Sequence, residues 1–153
     1  GNDGAATLRV AERLAIGAPS GGAAEGDADG DAAPLEAVWE RLPPMTARRD
    51  GASVASMRGR LFVCGGFDGI QSLASRSAER FEPSSRTWRP LRPMLSRRAG
   101  AAAAVVGEKL YVCGGYDGAQ HLAECERFDP VAGMWELLPP MPTRRGYSVG
   151  AAS

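Results

Sequence analysis

The stretch KLYVCGGYDG at 109–118 restates RLFVCGGFDG at 60–69, forty-nine residues downstream, with the same profile at every step. A period of this length constrains the chain more than any local propensity, because each repeat is one supersecondary unit that cannot bury its apolar face alone. Other markers keep the same step. Trp39, Trp88 and Trp135 recur at spacings of 49 and 47. Behind each comes Pro-Met (44–45, 93–94, 140–141) and then Arg-Arg (48–49, 97–98, 144–145). Between the glycines and the Trp lie AERFEP at 78–83 and CERFDP at 125–130. A weaker copy opens the chain: GNDGAATLRVAERL (1–14) aligns without gaps on GYDGAQHLAECERF (115–128). The chain therefore reads as a fragment that begins inside a repeat.

Every unit offers four short strands, which in the last one fall roughly at 100–106, 109–114, 123–128 and 134–138. Pro and Gly pairs punctuate them, and no segment sustains a helical period. LYVC is apolar on both faces, as suits a strand between two layers, whereas ECERF mixes charge with apolar residues and belongs nearer solvent. The glycine doublets Gly65-Gly66 and Gly114-Gly115 leave room at a strand end for close backbone or aromatic approach. Four-stranded units of this size predict an all-β propeller. The stretch 17–34, rich in Gly, Ala and Asp, cannot bury apolar area and is expected to be a disordered loop insertion.

Gly-Gly after an apolar strand, an aromatic-Asp-Gly turn, Glu-Arg-Phe-acid-Pro, Trp, Pro-Met and Arg-Arg together resemble the kelch repeat, and are most similar to kelch-like (BTB-kelch type) adaptor proteins. The resemblance covers nearly the whole chain except 15–37. It implies a partial kelch β-propeller of four-stranded antiparallel blades: the second half of one blade (1–44), complete blades at 45–94 and 95–141, and the first strand of another at 142–153. Trp39, Trp88 and Trp135 would then pack between sheets, as architecture rather than site. In kelch-like adaptors the connections before each first strand and after each Gly-Gly line the face that grips a partner. That implies Arg49, Arg98 and Arg145 as contacts, with Phe67 and Tyr116 beside them. Guanidinium forks flanked by aromatics suit an acidic, partly apolar peptide. The same arginines could instead pair with nearby carboxylates such as Asp50. Asn2 stands where the aromatic belongs in the partial unit.

Other chemistries find little support. The glycine doublets lack the spacing and the following helix of a phosphate-binding loop. Asp27, Asp29 and Asp31 have calcium-loop spacing, but Ala32 replaces the turn glycine and Val38 the bidentate Glu. With His121 as the only histidine, neither a zinc cluster nor a triad assembles. No catalytic residue, metal or cofactor is expected. Eighteen basic residues (all Arg but Lys109) balance eighteen acidic ones, so no global field draws the chain to nucleic acid or membrane. The apolar run 99–107 is too short to span a bilayer. Cys64, Cys113 and Cys125 cannot all pair within the chain, and Cys64 and Cys113 occupy one repeated position as small hydrophobes; a reducing, cytoplasmic setting follows. The expected role is protein recognition, with substrate capture for a cullin-type ubiquitin ligase as its most specific form by resemblance. The alternatives are an actin-binding cytoskeletal kelch protein and a piece of a kelch enzyme whose catalytic residues lie outside this segment.

Overall fold

Tight turns at Arg58-Gly59 and Gly107-Glu108, all with positive φ, reverse the chain between apolar strands and start two antiparallel meanders. The computed structural model describes residues 8–17, 36–70 and 74–147. Among these, ten strands and no helix are found. Strands β1 (Glu12–Gly17) and β2 (Glu36–Arg41) form an antiparallel pair. A first full sheet follows, of β3 (Ser53–Met57), β4 (Arg60–Cys64), β5 (Ala78–Glu82) and β6 (Thr87–Pro90), in chain order. The second repeats it with β7 (Ala102–Val106), β8 (Lys109–Cys113), β9 (Cys125–Asp129) and β10 (Met134–Leu138). By the sequence repeat, β1 and β2 are the third and fourth strands of a preceding unit. The expected insertion at 17–34 lies outside the described residues apart from Gly17, which closes β1. Residues 142–147 form no strand, and 148–153 also lie outside the described residues.

The two full sheets face one another. Their first strands, β3 and β7, approach across the gap, where Ser53 Oγ donates to the Ala101 carbonyl at 2.7 Å. Alternation along β4 shows why that strand is apolar on both sides. Phe62 and Cys64 enter a core shared with Leu110, Val112, Phe128 and Trp135 of the second sheet. Val63, between them, turns the other way, into a core with Phe81, Trp88, Leu42 and Met45 against the β1–β2 side. A period of two thus places one strand in two cores.

Trp88 and Trp135 perform the same two tasks. Each packs at a tilt on the Phe opposite it in the neighbouring strand, Phe81 at 5.2 Å and Phe128 at 5.0 Å between ring centroids. Each indole N–H then donates to a carbonyl of the preceding unit, Pro43 at 2.7 Å and Arg92 at 2.8 Å. A large apolar body and a satisfied polar tip make the side chain an inter-sheet tie. Trp39 departs from the expectation set by its spacing: it is 67% exposed, because among the described residues no earlier sheet lies against β2.

The glycine doublets meet the neighbouring connection at backbone distance. Gly66 N–H donates to the Arg98 carbonyl at 2.8 Å, and Gly115 N–H to the Arg145 carbonyl at 2.7 Å. Gly65 and Gly114 share a φ of +68°, and a Cβ on Gly114 would sit 2.5 Å from the Arg145 oxygen. A side chain there is excluded both by backbone conformation and by space. Trp88→Ala is accordingly expected to cost about 3–5 kcal/mol, and Gly114→Val to lower the urea midpoint clearly. A variant of either kind that melts like the parent chain in urea would show that the joints between sheets do not depend on these residues.

Candidate functional site

The connections at 42–52 and 91–101 and those at 65–77 and 114–124 emerge at the same ends of the two sheets. Backbone bridges fasten them together: Asp50 exchanges both hydrogen bonds with Phe67, and Ala99 does so with Tyr116. The aromatic of each Phe/Tyr-Asp-Gly turn is therefore pinned in place. Phe67 and Tyr116 stand half-buried with ring centroids 6.4 Å apart, and His121 lies 5.3 Å beyond Tyr116. One aromatic row thus crosses from sheet to sheet on the loop face.

In the first two doublets the second arginine behaves differently from the expectation that it meets a partner. Arg49 and Arg98 are each only 1% exposed. Arg98 donates from Nε and Nη2 to Glu126 Oε1 at 3.1 and 2.8 Å, and from Nη1 to the carbonyls of Gly114 and Glu124 at 2.6 and 2.8 Å. Arg49 repeats the arrangement one unit earlier, from Nε to Glu79 Oε1 at 2.9 Å and from Nη1 to the Gly65 and Ser77 carbonyls at 2.7 and 3.0 Å. The carboxylates are filled in turn by loop amides, Thr46 N–H at 2.9 Å on Glu79, and Leu95 and Ser96 N–H at 2.7 and 2.9 Å on Glu126. Arg49 and Arg98 are therefore fasteners and not partner contacts. The physical reason is that a charge this deeply buried must be met by an opposite charge and by hydrogen bonds. The carboxylates that meet them are Glu79 and Glu126, in place of the sequence neighbour Asp50.

Arg145, third in the series, is exposed, with Nε donating to Thr143 Oγ1 at 3.1 Å. Exposed too are the first arginines of the doublets, Arg48, Arg97 and Arg144, which sequence reasoning passed over. A one-residue shift in register separates clasp from surface. No spacing in the sequence separates the two, since both arginines of a doublet precede the repeated glutamate at intervals that differ by a single residue.

Beside the aromatic row opens a cavity of about 440 Å³ lined by Arg76, Leu95, Arg97, Asp117, Gln120 and Glu124, among others. Arg97 reaches across to the Ala74 carbonyl at 3.1 Å, and Arg144 donates to the Gln120 side-chain oxygen. Asp117 is already engaged: its Oδ1 accepts the Ala119 and Gln120 amides at 2.6 and 2.8 Å. Those backbone hydrogen bonds, Gln120 before Ala119, hold its carboxyl below the usual range. The cavity wall thus carries the guanidinium groups of Arg76 and Arg97 beside two acids, Asp117, occupied in shaping the turn, and the exposed Glu124. Among the described residues no group of three or more His, Cys, Asp or Glu could hold a metal, and no helix is long and apolar enough to cross a membrane.

Comparison with known proteins agrees with this construction. The kelch motif family model matches residues 48–95 and 97–142, more than half of the chain, so the chain belongs to the kelch-repeat family. Kelch-like protein 21 of Danio rerio is 41% identical over 54 residues, which are 35% of this chain and 9% of that protein. In three dimensions the fold is shared with a solved structure described as "Structure of YjhT", with a TM-score of 0.62 at 20% identity, covering 70% of this chain and 42% of that one. The chain spans under half the length of the proteins it matches. Its four-stranded sheets are blades of a partial kelch propeller, and such repeats form a protein-interaction module.

Removing one half of a clasp leaves the other charge buried, so Arg98→Ala or Glu126→Ala alone is expected to cost about 3–5 kcal/mol. Arg97→Ala should stay within about 0.5 kcal/mol. Urea denaturation of the three variants distinguishes the neighbours; equal effects at 97 and 98 would overturn the assignment.

Proposed function

We propose that the loop face recognises an acidic, partly apolar segment of another protein, gripped by Arg97 and Arg144 and laid along Phe67 and Tyr116. What carries this reading is the exposure of the first arginine in every doublet on the face that holds the aromatic row. Guanidinium donors form strong, directional bonds to carboxylates, and half-buried rings supply apolar contact at little entropic cost. On this reading the chain is a binding module without catalysis of its own, working in a reducing compartment such as the cytoplasm. The more specific proposal is substrate capture for a cullin-type ubiquitin ligase adaptor. Its support is the likeness to a kelch-like protein over 54 residues and the repeat pattern shared with kelch-like adaptors.

A displayed library of random peptides, selected on the chain, is expected to enrich sequences carrying Asp or Glu next to an apolar residue. For a peptide so selected, Arg97→Ala with Arg144→Ala should weaken binding at least ~10-fold, the scale of one lost charge-assisted hydrogen bond, without moving the melting temperature. Enrichment of basic peptides, or unchanged affinity in the double variant, would count against the proposal.

A further inference from the structure

The repeats differ at one place that architecture does not explain. In the first full sheet Cys64 stands opposite Ala78, while in the second Cys113 stands opposite Cys125. Residues directly opposite on antiparallel strands project to the same face. The Gly114 N–H donates to the Glu124 carbonyl at 3.0 Å, which makes 114 and 124 a hydrogen-bonded pair. By the alternation of an antiparallel ladder, Cys113 and Cys125 are then a non-hydrogen-bonded pair, whose Cα atoms lie about 4.5 Å apart and whose side chains approach most closely. That separation falls within the range of about 4.4–6.8 Å that a disulfide spans. Cys113 is half-buried and Cys125 buried, and both are free thiols here.

We infer that Cys113 and Cys125 form a reversible redox-modification site, a cross-strand dithiol that a hydroperoxide converts to a disulfide. Atoms and electrons balance in two steps. Cys113, the more exposed of the two residues, attacks the peroxide oxygen as its thiolate, giving a sulfenic acid and releasing water after proton uptake. The Cys125 sulfur then displaces that hydroxyl, forming the S–S bond and expelling a second water. Two thiols and one hydrogen peroxide become one disulfide and two waters. Burial, and then the Cys125 thiol hydrogen-bonded beside it, push the Cys113 thiol up to about 12. The Cys113 thiol is accordingly protonated at neutral pH and oxidises slowly, since only the thiolate reacts. A bond at this place would fasten the base of the loop 114–124, which carries Tyr116, Asp117 and Gln120 on the loop face. Cys64 lies buried with no thiol opposite and serves as the internal control.

The tryptic peptide LYVCGGYDGAQHLAECER, residues 110–127, contains both sulfurs and no other cleavage point. After prolonged treatment of the folded chain with hydrogen peroxide, it should be lighter by two hydrogen atoms and refuse alkylation until dithiothreitol is added. Cys64 should be alkylated throughout once the chain is unfolded. Cys113→Ser should leave Cys125 open to alkylation, and the mass of the peptide from the unmutated chain decides the question alone should that variant fold poorly. Recovery of the peptide with both thiols alkylated, at a dose that oxidises glutathione in the same tube, would overturn the inference. So would finding Cys64 or a second chain in the bond.

Discussion

Arg98 is held from two sides at once. Its backbone carbonyl accepts the Gly66 amide of the first full sheet, while its guanidinium is enclosed by Glu126, Gly114 and Glu124 of the second. One residue therefore joins two blades through unlike groups, and the join cannot slide, because a shift would strand a buried charge. Arg49 does the same between the β1–β2 side, where its amide meets the Leu8 carbonyl, and the first full sheet, where its side chain meets Glu79. The glycine doublet, the Pro-Met turn and the glutamate of the third strand all serve this contact.

Burying a salt bridge is an expensive way to gain stability, since desolvation offsets most of the attraction. Its worth here is directional. The apolar contacts between sheets, Phe62 on Phe128 at 6.5 Å among them, would tolerate small rotations of one blade on the next. A guanidinium with donors aimed at a carboxylate and two carbonyls does not. The indole N–H bonds of Trp88 and Trp135 add a second fixed point near the outer strands. With blades set in this way, the aromatic positions 67 and 116 fall into a row, and the outward arginines share its face. The proposed recognition surface is a by-product of the same joint: in the doublets 48–49 and 97–98 adjacent residues face outward and inward.

Most of the fold was legible from the residues. Four strands per unit and the sandwiched character of LYVC follow from a period-two pattern that both faces of a central strand must satisfy, and from glycine where only glycine fits. The candidate face was legible in part, through Phe67, Tyr116 and the doubled arginines. Which arginine of each doublet is buried was not, because two identical side chains in sequence carry no mark of direction; the turn that leads into β3 or β7 decides it. Nor does spacing alone reveal that Cys113 and Cys125 are opposite one another, since that depends on ladder register across the loop 114–124.

Repetition in the chain thus determined the kind of object this is: sheets that must stack, tied by tryptophan and glycine at set intervals. Only the tertiary structure decided which charges are enclosed and which meet solvent. Enclosure depends on what the neighbouring sheet places opposite a side chain, and the neighbour that completes Arg98 lies twenty-eight residues away, at Glu126.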